Sequence, residues 1–193
     1  MDLNRRFDEA YEKIKKESFL ENKGLGNEVG YYVFDYNPAD ELKIRKKVDE
    51  IVNKINSKEE LPFKVYNFDL YEIIIEILKE KNFLEKTFKF EEKKGKEFVK
   101  DKVTKSLRLT QDSNLIVNYI LKKTPKDSAV VFLTGVGKAY PLLRSHQVLN
   151  NLHQVLDQVP VVLFFPGTYS GNDLKLFDTL DSNNYYRAFK LVE

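Results

Sequence analysis

Hydrophobic positions in this chain recur with two periods. Leu3, Phe7, Tyr11, Ile14 and Phe19 come at helical spacing and predict an amphipathic helix over 2–18. YYVFDY (31–36) reads as an aromatic-rich strand, and Pro38 opens a helix that runs to about Ile55 through Leu42, Val48, Ile51 and Val52. FKVYNFDL (63–70) predicts a second strand, and Tyr71, Ile74, Ile75 and Leu78 carry a helix over 70–82. Residues 83–108 are Lys/Glu-rich with apolar punctuation and read as peripheral helix. A further helix covers 112–123. Strands are expected at 129–134, 160–165 and 185–191, separated by helices at 141–156 and near 172–179.

Strands alternate with helices, and the runs at 129–134 and 160–165 are apolar throughout. That is the pattern of a parallel sheet covered on both faces. The expected fold is one α/β domain over 1–193, a three-layer sandwich with a mainly parallel sheet. It is P-loop- or Rossmann-like without those ligand motifs, and 83–128 forms a peripheral helical segment.

Composition narrows the function classes. The 193 residues include 14 Phe and 11 Tyr, enough for a substantial core. There is no Cys, which excludes disulfides and thiolate metal sites. No apolar run approaches membrane-spanning length, and the N-terminus lacks a secretory h-region, so a cytoplasmic location is expected. Residues 129–193 carry only five basic and five acidic side chains, which marks them as the source of the central sheet. Residues 61–128 carry 15 basic against 11 acidic, an excess too mild to predict nucleic-acid binding, so direct binding is expected to be weak or absent.

Candidate chemistry centres on AVVFLTGVGKAYPLLRSH (129–146), where a buried strand ends in Thr134-Gly135-Val136-Gly137-Lys138. In open α/β folds such a turn is where anions sit. A P-loop, however, needs a glycine where this chain has Phe132 and a hydroxyl where it has Ala139. Nor is there a third glycine at Tyr140 for a dinucleotide fingerprint. At least one of Gly135 and Gly137 is expected to need positive φ. Arg144 falls in the predicted first turn of the 141–156 helix, where a cation opposes the dipole and calls for an ion pair or an outside partner.

His146 and His153 are seven apart, too far along one helix for a shared zinc. Asp35 and Asp69 end their strands and read as caps before they read as metal ligands. Phe165–Asp173 forms a second glycine-bearing turn at the same sheet end, and Ser170 has no partner histidine. No catalytic, cofactor-binding or metal-binding set emerges. The residues offered as ligand or partner contacts are Thr134, Gly135, Gly137, Lys138, Tyr140, Arg144 and Tyr169.

Five stretches together resemble the BrxB family of BREX bacteriophage-defence systems. They are GLGNEVGYYVFDY (24–36), NFDLYE (67–72), VFLTGVGKAYPLLRSHQVLNNL (131–152), LFFPGTYSGNDLKLF (163–177) and NNYYRAFKL (183–191). The resemblance implies a small cytoplasmic protein that works with other BREX proteins and supports host DNA methylation and phage exclusion. A non-catalytic adaptor docked on the phosphatase-like partner PglZ is the expected role. The alternative is an enzyme or sensor binding a nucleotide or nucleic-acid phosphate at the 134–138 turn. For an adaptor, the loops at 136–144 and 166–173, with Tyr140, Tyr169, Tyr185 and Tyr186, are expected to form or border the docking surface.

Overall fold

Alternation along the central strands divides their side chains between two cores. Tyr31 and Val33, Val131 and Leu133, and Val161, Leu163 and Phe165 face one side. Tyr32 and Phe34, Val130 and Phe132, and Val162 and Phe164 face the other. A computed structural model describes residues 2–21, 30–109, 111, 114–181 and 188–193, with the backbone alone for 145–147 and 181. In chain order the elements are α1 (Leu3–Ile14), α2 (Glu17–Leu20), β1 (Tyr31–Tyr36), a 3-10 turn (Pro38–Asp40), α3 (Glu41–Asn56), β2 (Lys64–Asp69) and α4 (Leu70–Glu80). Then come α5 (Leu84–Lys94), α6 (Lys96–Ser106), α7 (Leu115–Lys123), β3 (Ala129–Thr134), α8 (Val136–Ala139), α9 (Ser145–His153), β4 (Val161–Tyr169), β5 (Leu174–Leu176), β6 (Leu180–Asp181) and β7 (Phe189–Lys190).

The strand order is β2-β3-β4-β1-β7, and these five are parallel. β5 turns back antiparallel on the end of β4, and β6 on β5. From β1 the chain crosses to β2 through α3, whose Ile44, Val48, Ile51 and Ile55 pack with Phe34 and Phe132. It returns through α4–α7 and α9, which fill the opposite core. Crossovers of one hand that run both ways must use both faces, and this makes the three layers.

Capping explains several boundaries. Asp69 Oδ1 accepts from the backbone N–H of Tyr71 and Glu72 at 3.0 and 3.2 Å and starts α4. Fully buried Asn114 does the same for α7 through Ile116 and Val117.

Three expectations need correction. No helix begins at Pro141; the chain turns through 141–144 and α9 starts at Ser145, so Arg144 precedes the helix rather than lying in its first turn. No helix forms near 172–179: Leu174-Lys175-Leu176 is a short strand that alternates in burial against β4, and the chain turns through 177–179. β4 also runs past 165 to Tyr169, with Pro166 inside it. Of the strand predicted over 185–191, Phe189–Lys190 is observed, and Tyr185 and Tyr186 lie outside the described residues.

Candidate functional site

The carboxyl ends of β1, β2 and β3 gather the residues with chemistry to offer. Gly135 follows β3 in the left-handed region, φ 72°, as the strand-to-helix turn requires. A Cβ at 135 would stand 2.2 Å from Asp69 Oδ1 and 2.6 Å from its Cγ. Glycine there is thus what lets the Asp69 carboxylate lie against the turn. The following short helix, α8, then aims Lys138 back at it. Lys138 Nζ stands 2.6 Å from Asp69 Oδ2 and 3.3 Å from Glu72 Oε1, and 5.7 Å from the centre of the Tyr71 ring. Thr134 Oγ1 donates to Asn67 Oδ1 at 3.0 Å. The Gly-Val-Gly-Lys turn is a clasp closed on the chain's own carboxylates.

Beside this clasp lies a cavity of about 120 Å³ between α3 and the strand ends, lined by Tyr36, Glu41, Arg45, Asn67, Asp69 and Thr134 among others. Glu41 accepts from the Tyr36 hydroxyl and from Arg45 Nε at 2.8 Å. Burial pushes the Tyr36 phenol well above its usual range, and the bond to Glu41 adds to this.

Gly137 is helical and serves packing. A Cβ on it would meet the Phe177 ring at 3.1 Å and Pro166 at 3.4 Å. Tyr140 sets its ring edge-on to Phe177, centroids 6.1 Å apart. The two glycine-bearing turns foreseen from sequence therefore lean on one another through Phe177, which sequence reasoning did not single out. Glu72 was also missed, although Asp69-x-x-Glu72 carries a capping-box spacing that marks an acid in the first turn.

Tyr169 is a correction. Its ring is fully buried, its hydroxyl proton is shared between Gly171 O at 2.7 Å and Ala188 O at 2.8 Å, and it offers no surface to a partner. Arg144 is exposed and makes no ion pair among the described residues. Ser170 Oγ accepts from Asp173 N at 3.1 Å, as a turn former does. His153 stacks on Tyr31 with centroids 4.0 Å apart, while the side chain of His146 lies outside the described residues.

Asp35 is a structural tie. Its carboxylate takes the Arg6 guanidinium at 2.8 Å and the Tyr169 backbone N–H at 3.1 Å, with Lys190 at 3.8 Å. Arg6 also donates to Asp35 O at 2.7 Å and lies over the Phe34 ring. Among the described residues no group of three or more His, Asp or Glu is placed to hold a metal ion, and no helix is long and apolar enough to cross a membrane.

Comparison with known proteins adds to this geometry. The family model described as "BREX protein BrxB" matches residues 66–191. A BREX protein BrxB of Bacillus cereus (strain H3081.97) is 47% identical over 192 residues, covering 99% of this chain and 98% of the relative. One of Escherichia coli O9:H4 (strain HS) is 34% identical over 191 residues, covering 98% and 92%. No solved structure matches significantly.

Proposed function

The chain belongs to the BrxB family of BREX phage-defence proteins, and from that premise we propose that it acts as a non-enzymatic adaptor that docks on PglZ. Membership makes it a BREX component; the adaptor role is our reading of its site. One observation carries it. Lys138, the cation a phosphate would need at the 134–138 turn, is already held by Asp69 and Glu72. An incoming phosphate would have to displace two carboxylates and would meet their repulsion. Phe132 and Ala139, which stand where a P-loop has its first glycine and its hydroxyl, are both buried.

The docking face in this proposal is the 140–144 loop together with the β5–β6 hairpin. Tyr140 and Phe177 are half-buried there, while Pro141, Arg144 and Leu180 are exposed. Tyrosine and arginine around an apolar centre are the side chains that dominate binding energy at protein interfaces. The role in host DNA methylation and phage exclusion then follows from the complex the adaptor completes.

Co-purification of the tagged chain with each BREX protein tests this. Capture of PglZ independent of added nucleotide is expected. Failure to capture any BREX protein, together with ATP binding in calorimetry, would replace the adaptor with the nucleotide-binding alternative.

A further inference from the structure

The α5–α6 hairpin stands clear of the core over its outer half. From 85 to 97, Thr87 is buried, Phe90 half-buried, and every other residue exposed. At the tip Gly95 has φ 78°, and nothing lies within 4 Å of where its Cβ would be. The arm is stiffened from within: Phe83 and Phe98 each meet Phe90 edge-on, with centroids 6.2 and 5.5 Å away. Lys94 and Lys102 both lie over the Phe98 ring, at 4.4 and 5.1 Å. Holding two helices in order with so little burial points to a contact made outside the chain.

Residues 84–106 hold eight lysines against five carboxylates. Lys100 and Lys105 pair with Glu97 and Asp101 on their own helix. Lys86, Lys89 and Lys93 have no ion-pair partner among the described residues. Their spacing, i, i+3 and i+7, puts them along one side of α5, with rises of about 4.5 and 6 Å between them. Glu85, Phe88 and Glu92 fall about a quarter turn round the helix. On α3, by contrast, Lys43, Arg45 and Lys47 are paired with Asp40, Glu41 and Glu50, and the two lysines left, Lys46 and Lys54, lie eight residues apart and form no stripe.

We propose that the α5–α6 hairpin is a nucleic-acid-binding arm whose Lys86–Lys89–Lys93 stripe lies along the phosphodiester backbone. A line of cations flanked by one exposed aromatic ring, Phe88, complements a line of phosphates and its bases, whereas a protein interface needs a broader apolar core than a single ring supplies. The overall charge balance had argued for weak binding or none; the fold changes that by collecting unpaired lysines on one projecting edge. The inference is independent of PglZ docking, which uses another face.

Fluorescence anisotropy with a short labelled DNA duplex, and with its single strand, tests it across about 50 to 200 mM KCl. The full chain is expected to bind with affinity that falls with salt. Lys86→Glu/Lys89→Glu/Lys93→Glu should weaken binding at least roughly tenfold and reduce the salt slope by about 3. The milder Lys86→Gln/Lys89→Gln/Lys93→Gln guards against a folding defect and should lower the slope equally. Lys46→Glu/Lys47→Glu on α3 should leave binding unchanged. Absence of salt-dependent binding would overturn the proposal, as would an equal loss in the α3 variant. Competition by polyglutamate as strong as that by unlabelled DNA would also overturn it, by assigning the arm to an acidic protein.

Discussion

Gly135 and Asp69 share one site: the space that a side chain at 135 would fill is occupied by the Asp69 carboxylate, 2.2 Å from the Cβ position. This ties the strand-to-helix turn after β3 to the cap of α4. Lys138 closes the arrangement from the other side.

Gly135→Ala should therefore cost about 2–4 kcal/mol, combining left-handed strain with loss or displacement of the α4 cap. Gly137→Ala should cost less than half as much, since Gly137 is helical and its neighbour is a ring. Urea unfolding of both variants checks this, and equal losses would show that Gly135 is not shaped around Asp69.

Lys138→Ala should lower stability by about 1 kcal/mol, the worth of a partly exposed pair. Adding ATP and Mg²⁺ should leave the melting temperature of the parent chain unmoved. ATP turnover that disappears in Lys138→Ala would contradict the clasp.

The Arg6–Asp35 pair is more deeply placed, with side-chain exposures of 15% and 12%. Arg6→Ala leaves the Asp35 carboxylate without its main partner and should cost about 3 kcal/mol or more. Because α1, β4 and the C-terminal strand meet at Asp35, chemical denaturation should still show one transition. A loss under about 1 kcal/mol would mean that Lys190 takes over the pairing.

Tyr31 and Tyr36 both have phenol pKa values raised above 10.0, first by burial. The folded state thus holds their protons more tightly than the unfolded chain. Their contribution is fully present below pH about 10, where the unfolded phenol titrates, and is lost as pH rises above it. Tyr36→Phe should be less stable at neutral pH by about 1 kcal/mol, through the lost bond to Glu41, and less sensitive to alkali. Parallel stability–pH curves for the two proteins above pH 10 would contradict this.

The layers were legible in sequence because the central strands are apolar on both sides, a pattern only a doubly covered sheet explains. The left-handed glycine at 135 was legible because an apolar run ended in Gly-x-Gly. The β4–β5 hairpin was not. Pro166 and Gly167 signal a break, yet the chain stays extended, Gly167 taking φ 144° with Lys175 O 2.1 Å from its would-be Cβ. Tyr169 looked like surface because it sits among turn residues; its burial depends on contacts with Asp35 and Ala188, distant in sequence. The partners of Lys138 were hidden for the same reason: Asp69 and Glu72 lie over 60 residues away and meet it only through β2–β3 pairing.

Docking through the 140–144 loop and the β5–β6 hairpin is tested most directly by titrating PglZ into the parent chain and into Arg144→Glu/Leu180→Asp, read by calorimetry. Both positions are exposed, so the variant should melt within a few degrees of the parent. The predicted result is a saturable PglZ complex with the parent chain that weakens at least roughly tenfold in the variant, as loss of interface anchors requires. Undiminished affinity in a folded variant, or no complex with the parent chain, would contradict it.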